Sequence, residues 1–203
     1  RTPQIGLVVR TPEEGAAAQE LGAVFVAAKG NESGGLVGER TSYVLLQSLR
    51  HETALPIFVW GGIGLQGAVA CRIGGAAGVV LDWQLALTRE ASLPSTMQRR
   101  LGRMDGSETL ALEVYPDTWL RLYHQPGFRA RDVFEKVALA ARGAADAPAQ
   151  LRAALRIELQ KTAPEERPWL IGQDAALASP WVPRQRSLTR AIDALRRHVH
   201  DAF

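Results

Sequence analysis

The stretch that decides the fold of this chain is PIFVWGGIGLQG, residues 56–67, in which an apolar strand breaks into glycines where a helix must begin. Glycine lets backbone N–H groups approach an anion closely, and a helix N-terminus favours negative charge. The segment therefore predicts a phosphate cradle at Gly61, Gly62 and Gly64. A second polar glycine cluster, KGNESGG at residues 29–35, also follows an apolar strand, so the two turns predict one shared ligand site.

Composition narrows the class of protein to which such a site can belong. With 203 residues, 46% of them apolar, and no long apolar span, the sequence predicts a soluble globular chain of one or two domains. Cys71 is the one cysteine, which excludes a disulfide framework and favours a reducing cytoplasm. No leader or membrane segment is visible. The net charge of +3 comes from scattered arginines, which argues against a nucleic-acid partner.

Strands and helices alternate regularly in the first half of the chain. Predicted strands cover residues 4–9, 23–28, 56–60 and 78–81, and predicted helices cover 12–21, 41–51, 66–73 and a stretch beginning near Gln84. Short, continuously apolar strands separated by amphipathic helices are typical of a parallel sheet covered by helices. The fold class is therefore α/β, with four β/α units over residues 1–103.

The second half, residues 104–203, loses this alternation and predicts a mostly helical appendage. A strand pair is expected at 109–115 and 118–123, where β-branched and aromatic residues flank a Pro-Asp turn. The remaining predictions are helices at 129–142, 148–160 and 186–200 and an exposed connection at 162–168.

Four β/α units make half of an eightfold barrel, and a complete barrel takes about 250 residues. An open four-stranded sheet would leave unpaired backbone groups at both edges. We therefore expect the sheet to be the C-terminal half of a TIM-barrel-like fold. The missing N-terminal barrel half would come from an absent segment, another chain or a symmetry mate.

Several motifs, in order, resemble one known family. The segments at 29–35, 55–64, 74–82 and 87–91 resemble the second half of nitronate monooxygenases, formerly called 2-nitropropane dioxygenases, and GQDAA at 172–176 resembles that family's C-terminal Gly-Gln-x-Ala-Gly signature. The combination of 29–38, 80–82 and 104–109 is similar to barrel modules near the N-terminus of multidomain polyketide and fatty-acid synthases.

The resemblance implies an FMN-binding β/α barrel capable of flavin-dependent redox chemistry, with synthase domains or an acyl substrate as partners. By position, the resemblance implies that the ribityl chain of the flavin contacts Ser33, Gly34 and Gly35. It implies that the flavin phosphate contacts Gly61, Gly62 and Gly64.

Two positions depart from the family pattern. Leu36 stands where nitronate monooxygenases have the histidine base that takes the substrate's carbon-bound proton, and leucine cannot accept a proton. Asp82 and Trp83 stand where the family offers Gly-Thr to the flavin phosphate. A carboxylate beside a phosphate is repulsive by about 1 to 4 kcal/mol unless a cation such as Lys29 or Arg89 intervenes. Lys29 is itself a candidate flavin partner.

Two other classes of function remain open at this point. The spacing Gly62-x-Gly64-x-x-Gly67, with Asp82 at the end of the next strand, matches the NAD-binding fingerprint of a Rossmann unit. Alternatively, Leu36 and the Asp82 position favour a catalytically degenerate structural or docking module of a synthase.

Overall fold

The computed structural model describes residues 4–161 and 167–203; most of the connection predicted at 162–168 lies outside the described residues. In chain order the strands and helices are β1 (Gly6–Val9), α1 (Pro12–Glu20), β2 (Phe25–Lys29), β3 (Gly35–Val37), α2 (Ser42–Glu52), β4 (Ile57–Trp60), α3 (Leu65–Ile73), β5 (Gly78–Val80), α4 (Ser95–Leu101), β6 (Thr109–Tyr115), β7 (Thr118–Tyr123), α5 (Ala130–Ala140), α6 (Ala147–Leu159), α7 (Ala178–Gln185) and α8 (Leu188–His200).

The first sheet is parallel, with strand order β1-β2-β4-β5. This arrangement confirms the predicted α/β class and the four consecutive β/α strands. The strand order runs without the reversal at which Rossmann domains bind dinucleotides, so it favours the barrel over the Rossmann alternative.

The two faces of this sheet differ sharply in burial. On one face Val26 and Val59 are 0% exposed, because helices α1, α2, α3 and α8 pack against it. On the other face Val8 is 53% exposed and Phe25 is 37% exposed. We call this second face, which also carries Phe58, the open face. Parallel sheets are normally covered on both faces, so the open face is that of an incomplete barrel.

Aromatic rings on the open face pack over glycines of the neighbouring strands. The rings of Phe25 and Phe58 meet edge to face with centroids 5.3 Å apart. A Cβ at Gly78 would lie 2.8 Å from the Phe58 ring, and one at Gly6 would overlap the Phe25 ring. Glycine is therefore needed on the outer strands to admit these rings.

The second sheet is antiparallel, in the order β3-β7-β6. It contains the predicted strand pair, with Asp117 at φ 58° in the tight turn between β6 and β7. The third strand, β3, was not predicted, because three residues preceded by glycines carry no strand pattern. Its Leu36 pairs with Leu120 of β7. The first half of the chain thus supplies a strand to the second sheet.

Two helical expectations need correction. The helix predicted to begin near Gln84 is a single 3₁₀ turn, Trp83–Leu85, and the next helix begins only at Ser95. Pro94 disfavours helix at Leu93 and directly precedes α4 as its N-cap residue. Helix α7 was missed because its sequence contains two prolines. Trp181 of α7 and Leu195 of α8 nevertheless join the core beneath the parallel sheet.

None of the helices among the described residues combines the length and apolar character needed to cross a membrane.

Candidate functional site

The carboxyl ends of β2, β4 and β5 bring the side chains of Lys29, Trp60 and Asp82 to one edge of the parallel sheet. Lys29 and Asp82 are predicted site residues, and Trp60 is their neighbour. Lys29 and Trp60 are register partners at the ends of β2 and β4, and the Lys29 Nζ lies 4.7 Å from the centroid of the Trp60 ring. Asp82 lies two residues after the last residue of β5, with Leu81 between them. Ligands of β/α barrels bind at this end of the strands.

The charges at this edge are held away from water. Burial lowers the pKa of Lys29, and the negative charges of Asp82 and Asp174 oppose that change. Burial also raises the pKa of Asp82, which the Trp60 indole and Lys29 partly offset. The Trp60 indole nitrogen lies near this carboxylate but makes no hydrogen bond of normal geometry with any described residue. Both groups therefore titrate more easily to their neutral forms than free side chains do.

Asp174 is a further acidic residue at the site, and sequence reasoning missed it. It is 1% exposed, and neither of its carboxylate oxygens has a hydrogen-bond partner among the described residues. Burial, followed by the charges of Asp82 and Glu32, raises the pKa of Asp174 to about 7. Asp174 lies in the GQDAA segment at 172–176 that resembles the family signature. The neighbouring residues in the sequence did not indicate that its side chain would be buried.

The first glycine loop, residues 30–35, is packed against a remote segment of the chain. The Gln173 N–H donates to the Glu32 carbonyl oxygen at 2.8 Å. A Cβ at Gly34 would overlap the Leu170 carbonyl oxygen, and one at Gly172 would overlap the Glu32 carbonyl oxygen. The glycines at 34 and 172 thus allow two backbone segments to touch.

The other two predicted contacts of this loop have separate roles. Ser33 is fully buried, and its hydroxyl donates to the Trp60 carbonyl oxygen at 3.1 Å, which fixes the loop to the end of β4. Gly35 has φ 80°, and a Cβ there would lie 3.5 Å from the Lys29 Nζ. The loop therefore passes directly over the lysine.

The second glycine loop, residues 61–64, combines two glycines of positive φ with a glycine N-cap. Gly61 and Gly62 have φ values of 116° and 64°, which side chains rarely adopt. Gly64 is the N-cap of α3 with φ −108°, and because glycine has no side chain it gives the first-turn amides of the helix no side-chain cap. Gly64 does not need positive φ, and in this it differs from Gly61 and Gly62.

A buried glutamine, also missed from the sequence, joins this loop to the loop after β5. Gln84 is 0% exposed. Its Oε1 accepts the Asp82 N–H at 2.8 Å, and its Nε2 donates to the Ile63 carbonyl oxygen at 3.1 Å. Trp83, the residue between them, donates its indole N–H to the Leu170 carbonyl oxygen at 2.9 Å. The predicted flavin contacts Asp82 and Trp83 thus make hydrogen bonds within the chain.

Arg121 of β7 adds a second buried cation. It donates from Nε to the Asn31 carbonyl oxygen and from Nη1 to the Thr109 hydroxyl at 3.1 Å. Burial lowers the pKa of Arg121, opposed by the charges of Glu32 and Asp174. An arginine in an amphipathic strand gave no signal of this role, because its partners come from the first half of the chain.

Leu36, at the position of the expected base, lies in an apolar environment. It packs against a core cluster that includes Val114, Leu120, Leu122 and Phe134. Leu36 itself cannot accept a proton, and the buried members of this cluster are all apolar.

Burial raises the pKa of the Cys71 thiol to about 11, so the thiol is protonated and unreactive at neutral pH. Within residues 4–161 and 167–203, no group of three or more histidine, cysteine or acidic side chains is arranged to hold a metal ion.

Comparison with known proteins places the fold. No protein-family model matches the chain, and no curated protein matches it. FabK from Thermotoga maritima is similar in structure, with TM-score 0.77 and 20% identity over 98% of this chain and 61% of FabK. Nitroalkane oxidase from Streptomyces ansochromogenes gives TM-score 0.71 and 20% identity over 98% of this chain and 58% of the oxidase.

An enoyl reductase domain of MlnA, from the macrolactin biosynthesis cluster of Bacillus amyloliquefaciens, gives TM-score 0.63 and 12% identity over 97% of this chain and 66% of that domain. At these identities the likeness concerns the fold. The chain thus has the fold of nitroalkane oxidase and of these reductase-type barrels, and it spans about three-fifths of the length of FabK.

Proposed function

We propose that this chain is part of a β/α-barrel module of the nitronate monooxygenase and enoyl reductase type, which serves a larger acyl-processing protein as a structural or docking module and does not oxidise nitronates. The observation that carries the proposal is the environment of Leu36. Its pairing with Leu120 and its apolar neighbours leave no proton acceptor at the position where the resemblance expects the base.

The open face supports the structural part of the proposal. Val8 and Phe25 expose apolar surface that a further set of β/α units would cover. A groove of about 730 Å³ also runs along β5, between Phe58 and helix α8, where another strand would pair. The remaining half of the barrel, from another segment of the same protein or from a partner chain, would bury both.

A second candidate function is FMN-dependent reduction of an acyl chain. Its support is limited to the backbone, namely the positive φ of the glycines at 61 and 62. The side chains of Glu32, Gln84 and Leu177 lie where they disfavour a phosphate. In that case FMN would supply hydride-transfer chemistry, and Lys29 at the end of β2 would be a cation available to contact it.

Oxygen consumption with a simple alkyl nitronate tests the first candidate. The full-length protein is compared with Leu36→His, which restores the residue type of the expected base. We expect no uptake above background from either protein, because the imidazole at position 36 would lie among leucines. Robust oxygen uptake by the unmodified protein would overturn the proposal.

The completion of the barrel is tested by a charge placed on the open face. Val8→Asp should destabilise the module in the full-length protein by about 3 kcal/mol or more, because the covered site would bury an unpaired carboxylate. Ile73→Asp is the matched control, since Ile73 at the end of α3 is 68% exposed. Equal, small effects of the two substitutions on urea unfolding would show that the open face stays in water.

A further inference from the structure

We infer that the chain fills its own flavin-phosphate subsite: the Gln84 side chain takes the place of a phosphate between the loops after β4 and β5, so the module holds its fold without FMN. This inference rests on the proposed function and goes further, because a barrel that lacks the nitronate base could still bind flavin.

Gln84 occupies a backbone donor that a phosphate between these loops could use, and it also bonds an acceptor that a phosphate could not. Of the backbone groups there, the Asp82 N–H is bound by the Gln84 Oε1 at 2.8 Å, while the Gln84 Nε2 binds the Ile63 carbonyl oxygen at 3.1 Å. With both ends of its amide engaged and the side chain 0% exposed, Gln84 acts as a fixed link between the loops. A phosphate bound at the Asp82 N–H would displace the Gln84 amide and leave the Ile63 carbonyl oxygen without its donor.

The surroundings of the α3 N-terminus also disfavour a phosphate. A Cβ at Gly64 would lie 3.7 Å from a methyl group of Leu177, so an apolar side chain covers the first turn of the helix. A Cβ at Gly62 would lie 3.2 Å from the Glu32 Oε1, which places a carboxylate beside the glycine turn. That carboxylate accepts a hydrogen bond from the Ser42 N–H of α2 at 2.9 Å, which holds it in this position.

The negative charges at the site also disfavour a phosphate. Asp82 adds a second carboxylate at the loop after β5, close enough for its charge to help raise the pKa of Asp174. The cations at this edge, Lys29 and Arg121, are already in the field of these acids. A phosphate dianion would add like charge to a buried acidic group, so the residues present do not fit FMN.

Hydrogen exchange of the full-length protein, with and without saturating FMN, tests the inference. We expect the Asp82 amide to be protected without flavin and its exchange rate to stay the same when FMN is added. Gln84→Ala should speed the exchange of this amide at least tenfold, because its acceptor is gone. Gln98→Ala is the matched control, since Gln98 also bonds a carbonyl oxygen, that of Leu93, but away from the site.

Equilibrium dialysis of the same proteins against FMN gives the second measurement. We expect no saturable FMN binding by the unmodified protein. Tight FMN binding, with slower exchange at Asp82 on its addition, would overturn the inference while leaving the absence of nitronate oxidation untouched. An Asp82 amide that exchanges equally fast in the unmodified, Gln84→Ala and Gln98→Ala proteins would overturn it as well.

Discussion

The two glycine loops at the carboxyl ends of the strands look alike in sequence but use glycine for different reasons. In the first loop, Gly34 allows the backbone to touch residues 170–172, and a Cβ would overlap a carbonyl oxygen. In the second loop, Gly61 and Gly62 set positive φ values that turn the chain into α3. A glycine cluster after a strand therefore marks close packing or a turn as readily as a ligand site.

The largest effect should come from adding a methyl group to the first loop. Gly34→Ala should destabilise the module by about 3 kcal/mol or more, because the Leu170 backbone must move to admit a Cβ. Gly64→Ala should cost less than about 1 kcal/mol, since its Cβ would meet Leu177 at an ordinary 3.7 Å. Urea unfolding of the full-length protein, followed by pulse proteolysis, compares them. Equal losses would show that the two loops are packed alike.

A pH dependence should come from Asp174, which lies beside the first loop. Its pKa is about 7 in the folded protein and about 4 when unfolded, so between these values the folded state binds the extra proton. The free energy of unfolding should therefore fall as pH rises from about 4 to 7 and change little above. Asp174→Asn should remove this loss and be more stable than the unmodified protein at pH 8, by about 2 to 4 kcal/mol.

The control for this change is Asp201→Asn, at the exposed end of α8. Its unfolding curve should follow that of the unmodified protein at every pH. If Asp174→Asn does the same, the carboxyl group at 174 is ionised at neutral pH and solvated.

A smaller effect is expected in the second loop. Gly62→Ala should cost about 1 to 2 kcal/mol, because a residue with a Cβ is strained at φ 64°. Gly62→Asn should cost less, since asparagine tolerates this conformation better. The same urea experiment compares the two. If alanine and asparagine cost the same, contact with Glu32, and not backbone strain, decides the residue at 62.

The smallest effect concerns Ser33. Ser33→Ala should cost about 1 kcal/mol, because the Trp60 carbonyl oxygen loses its buried donor. Ser48→Ala, which removes an exposed hydroxyl bonded to the Val44 carbonyl oxygen, should cost less than half as much. A loss at Ser33 no larger than at Ser48 would show that this hydrogen bond does not hold the first loop in place.

The parallel sheet could be predicted from the sequence because its signals are local. Each strand is a short apolar run, and each of the first helices begins at a marked residue, such as Thr11, whose hydroxyl accepts the Glu14 N–H at 3.2 Å. Strand order then follows from short right-handed connections. The strand pair at 109–123 was predictable for the same reason.

The rest depended on contacts between distant parts of the chain. β3 is a strand only because β7 pairs with it, and Asp174 is buried only because residues 172–174 pack on the first loop. Gln84 showed no sequence signal, since its two partners belong to different loops. Residue type and spacing predicted where a site could be, but not which groups the protein uses for its own packing.

The flavin content of the native protein tests the central claim most directly. The full-length protein, purified from its own cells without added flavin, is denatured, and the released FMN is measured by chromatography against protein concentration. Because Gln84 links the loops after β4 and β5, we predict far less than one FMN per barrel. One FMN per barrel, released only on denaturation, would contradict the account.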